Sequence, residues 1–121
     1  MQVQKYTVTA TTDAGGDATV YLPSAAGDAI TGRVLTIAYT KTDFTDGVDF
    51  TITSNATGQT IWTESNVNAT ATRAPGQQTH TGAGVAITDV YDYIGLANDR
   101  IKIVVASGGA TKTGAFTAII G

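Results

Sequence analysis

The sequence contains no cysteine and a single histidine, His80. The first absence excludes a disulfide framework and any thiolate metal site, and the second excludes a zinc site built from several imidazoles. Charge is scarce as well. Only 14% of residues are charged, against about 25% in a typical soluble domain. Seven basic residues stand against ten acidic ones, for a net charge of −3. The chain therefore lacks the cationic excess with which a protein neutralises a phosphate backbone, and no direct nucleic-acid partner is expected. Apolar runs are short. Ile103-Val104-Val105-Ala106 falls far below the roughly 20 residues of a membrane-spanning helix, and the residues after Met1 do not resemble a signal peptide. The expectation is a product made in the cytoplasm, with no membrane partner and no cofactor. Leucine is nearly absent, with only Leu22, Leu35 and Leu96, and glutamate occurs once, at Glu64.

What is abundant is threonine, 23 of 121 residues. Thr, Val, Ile and Tyr suit a pleated surface, whereas helices draw on Leu, Glu and Lys. Alternation supports the same conclusion. Tyr6, Val8 and Ala10 alternate with Lys5, Thr7 and Thr9. Ala18, Val20 and Leu22 form a second alternating run, and a hairpin across Asp13–Asp17 is the simplest connection between the two. A long strand is expected over Ile30–Thr40, with Leu35, Ile37 and Tyr39 on one face and a bulge at Gly32. Val48, Phe50 and Ile52 follow the Asp46-Gly47 turn, with Thr60–Thr63 as their partner. Val90–Ile94 is ambiguous between strand and short helix. Arg100–Ala106 and Thr113–Ile120 read as a closing hairpin. The chain is thus expected to be a single all-β domain over residues 1–121. Its architecture is expected to be an antiparallel β-sandwich or jelly-roll-like barrel of about seven to eight strands. Residues 64–88 hold few large apolar side chains and are expected to form an extended loop or arm, a length that is usually functional when it occurs.

Residues with chemical potential are few. His80 lies in the polar segment Gln77–Thr81 with no nucleophile motif beside it. Glu64 would need a second carboxylate, Asp49 or Asp92, to act on a glycoside. Asp43, Asp46 and Asp49 recur every three residues, which is the wrong spacing for a calcium loop. Neither Gly108-Gly109 nor Gly82-Ala83-Gly84 has the context of a phosphate loop. Two glycosylation-type sequons, at Asn55 and Asn68, follow from the abundance of threonine. These residues assign no catalytic, cofactor or metal site, and no enzyme activity is expected. A surface so poor in charge suits burial against neighbours. The residues expected to make contacts are Trp62, Arg73, Pro75, His80 and Tyr91, since aromatic and arginine side chains are the usual interface anchors.

Several strings carry a family resemblance: Gly32–Ile37, Asp46–Thr53, Ile61–Ala69 with Ala71–Pro75, Ile94–Val104, and the Lys112-Thr113-Gly114 turn. Over Thr31 to the C-terminus the chain resembles small virion proteins of tailed bacteriophages, with Gln77–Val90 departing from that pattern. The resemblance implies a structural component of the virion head, as a capsid decoration or cement protein. Its partners would then be the major capsid protein and other copies of itself, commonly as a trimer. A neck, head-fibre or tail component is the neighbouring alternative. A carbohydrate-binding module, with Trp62 and the tyrosines as platforms, is the alternative of another class. Gln2–Ala10, as an edge strand, is placed to add to a neighbour's sheet.

Overall fold

The computed structural model describes residues 2–121 and contains only β-structure. Eleven strands are present among these residues: β1 Gln4–Thr11, β2 Ala18–Leu22, β3 Ile30–Lys41, β4 Val48–Ser54, β5 Thr60–Val67, β6 Ala71–Arg73, β7 Gln77–His80, β8 Ala86–Asp92, β9 Ile94–Asp99, β10 Ile101–Ala106 and β11 Thr113–Ile120. One sheet runs β1-β11-β3, with β6 and β9 sharing the far side of β3; the other runs β2-β10-β4-β5. Every pairing is antiparallel. The two sheets face each other as a sandwich, in agreement with the fold class expected from the alternation. The higher strand count comes mainly from residues 64–92, which add β6, β7 and β8.

The core is the set of inward positions of both sheets. Ile37, Tyr39, Phe116, Ala118 and Ile120 come from one sheet, and Phe50, Ile52, Ile101, Ile103 and Val105 from the other. Tyr39, Phe44, Phe50, Phe116 and Trp62 form a connected aromatic cluster. Ring centroids are 5.0 Å apart for Tyr39–Phe50, 5.2 Å for Phe50–Phe116 and 4.9 Å for Phe50–Trp62. Edge and tilted contacts of this kind add roughly 0.5–1.5 kcal/mol per pair beyond the area they bury.

Three local expectations are corrected. The first concerns β1 and β2, which do not form a hairpin: β1 pairs with β11 and β2 with β10. The second concerns β10 and β11, which likewise belong to different sheets. Both connections cross the sandwich side by side and hold each other. The buried Thr12 hydroxyl donates to Gly109 O at 2.5 Å and accepts from Lys112 N at 2.8 Å, while Gly108 N donates to Gly16 O at 2.9 Å. A Gly/Asp-rich turn has the same composition whether the chain returns to its own sheet or crosses to the facing one. The third correction lies in β3. The register slips between Ile119↔Thr36 and Ile120↔Val34, so Val34 and Ile37 point inward and Leu35 does not join them. The expected irregularity at Gly32 is present. The pairing with β9 shifts between Ile30 and Gly32, φ of Gly32 is +149°, and an added Cβ would lie 2.7 Å from Ile120 Cγ2. Val90–Ile94 holds no helix: it contains the end of β8 and the start of β9, with Tyr93 between them.

Candidate functional site: a projecting hairpin and its anchor

The sandwich has two lateral edges. At one, β1 and β2 lie against each other. At the other, β5 ends its sheet and β6 sits beyond β3. A polar clasp closes this second edge. Arg73 on β6 donates to Glu64 on β5 through Nε at 3.1 Å and through Nη2 at 3.0 Å to each carboxylate oxygen. Trp62 Nε1 donates to the same carboxylate at 3.0 Å, and the Arg73 guanidinium lies 5.3 Å from the Trp62 ring. The Trp62 hydrogen bond first, and the Arg73 ion pair second, hold the Glu64 carboxyl below the usual range against the opposing effect of desolvation. Three of the four bonds fall on Oε1, and Oε2 accepts only from Arg73 Nη2. A polar groove of about 430 Å³ runs past it, lined by Asn66–Thr72 together with Glu64 and Arg73.

From the clasp the chain runs through Pro75 into β7 and β8, a two-stranded sheet that pairs with neither sheet of the sandwich. Every residue of β8 is exposed. Its root is fixed by the Gln77↔Asp92 pairing, a Gln59–Gln77 side-chain hydrogen bond and the Arg33 guanidinium 5.6 Å from the Tyr93 ring. Pro75, Gly76, Tyr91, Asp92 and Tyr93 enclose a shallow pocket of about 190 Å³ there. Along the arm the two strands are unequal. β7 advances two residues, from Gln78 to His80, while β8 advances five, from Ala86 to Tyr91. The bulge contains Asp89 at φ 61°. Its carbonyls are met by side chains, Gln78 Nε2 on Ile87 O at 3.0 Å and Thr79 Oγ1 on Val90 O at 3.3 Å. The tip closes through Thr81, whose N–H donates to Val85 O at 2.8 Å.

This arm carries most of the large apolar surface that the fold leaves uncovered. Val85 is 61% exposed, Tyr91 64%, Val90 46% and Tyr93 44%. A lone two-stranded hairpin is marginal in water, and large apolar side chains left exposed on both faces of such an arm mark it as an interaction element.

The expected contact residues fall into three places. Trp62 and Arg73 meet in the clasp; Pro75 and Tyr91 meet at the root pocket; His80 is exposed near the arm's tip. Trp62 is corrected as a surface anchor. At 6% exposure its ring is core, packed edge-on to Phe50, and offers no face for a sugar or a partner. The alternation of β5 is interrupted there, so Ile61 and Trp62 are both buried. Val85, Ile87, Val90 and Tyr93 are exposed as well, although they are not among the expected contact residues. Their only signal in the sequence is large apolar residues, at Val85–Ile87 within the expected arm and in the Val90–Ile94 run that reads as strand or short helix. The three aspartates weighed for calcium serve the fold separately. Asp43 accepts from Thr113 N at 2.5 Å, Asp46 pairs with Lys41, and Asp49 accepts from Asn66 N at 2.8 Å.

No protein-family model and no curated protein matches the sequence. Among solved structures, the chain is similar to FlhE, with a TM-score of 0.47 and 9% identity over 99% of this chain and 98% of that one. It is also similar to the extra small virus particle of the giant freshwater prawn Macrobrachium rosenbergii, with a TM-score of 0.33 and 10% identity over 98% of this chain and 79% of that one. At these scores and identities, neither neighbour transfers a partner or an activity to this chain.

Proposed function

We propose that the chain is a non-enzymatic structural protein of a tailed-phage virion, a decoration protein that stabilises the head by linking neighbouring molecules on the capsid surface. The observation that carries the reading is the β7–β8 arm, a hairpin joined to the sandwich at its root whose apolar side chains Val85, Ile87, Val90 and Tyr91 stay 38–64% exposed. The resemblance of Thr31 to the C-terminus to phage virion proteins, outside Gln77–Val90, supplies the setting. The sandwich body supplies a stiff platform, and its low charge lowers the desolvation cost of lying against a protein shell. The major capsid protein is the surface on which copies sit, and interface free energy offsets the outward pressure of packaged DNA.

The test is addition of the purified protein to shells of the major capsid protein that lack it. Saturable binding with a raised shell melting temperature is the expected result. Absence of binding overturns the proposal, and binding in the small numbers of a single ring without stabilisation moves the protein to the neck or tail.

A further inference from the structure

The arm has a distinctive chemistry. Its apolar side chains Val85, Ile87, Val90 and Tyr91 are interspersed with two carboxylates, Asp89 and Asp92, and β7, β8 and their turn contain no lysine or arginine. A matching surface would be apolar, flat and basic. One such surface exists on the chain itself, on the outer face of β2 and β10. There Tyr21 pairs across the strands with Lys102, and Thr19 with Val104. The Arg100 guanidinium lies 4.3 Å from the Tyr21 ring, anchored on Pro23 O at 3.0 Å. Val104 is exposed at 37%, and the Lys102 amine makes no hydrogen bond or ion pair among the described residues. The β4 neighbours of Val104 and Lys102 on this face, Thr51 and Thr53, are uncharged; the next outward residue of β4, Asp49, lies opposite Ala106 and accepts from Asn66 N. Two cations, an aromatic ring and an exposed valine thus lie together with no carboxylate between them.

The sheet order keeps the two surfaces apart within one molecule. The arm leaves from the β5/β6 edge, whereas the basic patch lies at the β1/β2 edge. We infer that the arm of one copy docks on the β2–β10 outer face of a second copy through the side that carries Tyr91, Tyr91 covering Tyr21 and Val104 while Asp89 of the adjoining bulge meets Lys102. The contact is head-to-tail, since arm and patch are different surfaces. Such a contact closes into a ring or extends as a chain rather than stopping at a twofold dimer. Opposite charge steers the encounter and fixes the register, and the apolar side chains supply most of the affinity. The inference concerns recognition between copies and holds or fails independently of any capsid.

Sedimentation velocity on the full chain tests it. The expected result is an average mass that rises with protein concentration and falls with added salt. Tyr91→Ser on the arm and Lys102→Glu on the patch should each weaken association by at least about tenfold. Both positions are exposed or half-exposed, so unchanged circular dichroism and melting temperature establish that the variants are folded. The deciding step is a mixture of the two variants. Each copy then retains one competent surface, so the mixture should form a one-to-one heterodimer and nothing larger. The charge exchange Asp89→Lys with Lys102→Asp in one chain should restore part of the association. A wild-type protein that stays monomeric at every concentration overturns the inference. So does an oligomer indifferent to both substitutions, or a mixture that yields no heterodimer.

Discussion

Gly114 occupies an inward position of β11 where the aromatic cluster leaves no volume for a side chain. A Cβ added there would lie 2.5 Å from Phe44 Cε2, 2.7 Å from Phe44 Cδ2 and 3.0 Å from Tyr39 Cε1. Both rings are buried to 1% exposure or less and stack with centroids 6.1 Å apart, so neither moves without displacing its neighbours. Overpacking of a dense core costs about 1–3 kcal/mol. Two contacts well inside van der Waals distance place Gly114→Ala in the upper half of that range, about 2–3 kcal/mol. For a chain of this size that corresponds to a fall in melting temperature of roughly 6–15 °C. Thermal unfolding followed by circular dichroism measures it. The mechanism has a specific rescue. Phe44→Ala removes both carbons that collide, so the double variant should be more stable than the two single losses predict by about 1 kcal/mol or more. Additive losses, or a Gly114→Ala variant within about 0.5 kcal/mol of wild type, would refute the packing argument.

Three further outcomes follow from the same structure. Tyr39 is buried with its hydroxyl unpartnered and its pKa raised, first by burial and then by Asp46. Tyr39→Phe should therefore stabilise the protein by about 1 kcal/mol. Because the folded pKa is raised, stability held below the ordinary tyrosine value near 10.0 is lost as pH rises through the folded value, and the variant should lack that part of the alkaline loss in a melting series. The Glu64 carboxyl is held low, so its contribution is present above the ordinary value of 4.5 and is lost as pH falls through the folded one. Glu64→Gln should flatten the acid limb of the same series, by less than about 1 kcal/mol because the pair is half-exposed. Hydrogen exchange should find β7–β8 amides opening far more readily than those of β10, since the arm has no buried side chain and β10 lies at the sandwich centre. Equal protection in both would contradict the arm's independence.

How much of this was legible in the sequence depends on what each segment buries. β4, β10 and β11 bury alternate residues completely, as in Ile101, Ile103 and Val105, and their period-two pattern identifies them. β8 buries nothing, so no periodicity marks it as a strand: its first residues fall in the expected loop or arm of 64–88, and Val90–Asp92 in a run that reads equally as strand or short helix. Strand order was not legible because the crossings at Thr12–Asp17 and Ser107–Lys112 look like turns. What makes them crossings is a contact between two segments about a hundred residues apart, through Thr12. Trp62 was assigned to the surface because a lone aromatic carries no local sign of which way it points. The Phe50–Trp62 contact across β4 and β5 decides that. Glu64 and Arg73 stand nine residues apart on separate strands, and only the closed edge of the sandwich brings them together.

The central claim is that the arm links neighbouring molecules on a shell. The most direct measurement compares the full chain with a version in which residues 77–92, whose ends are already paired as Gln77↔Asp92, are replaced by a tight turn. Both are added to shells of the major capsid protein, and shell melting is recorded alongside the number of bound copies. The account predicts that the full chain binds at many copies per shell and raises its melting temperature, while the shortened chain, its sandwich intact by circular dichroism, gives no stabilisation. Equal stabilisation by both chains, or by neither, would contradict it.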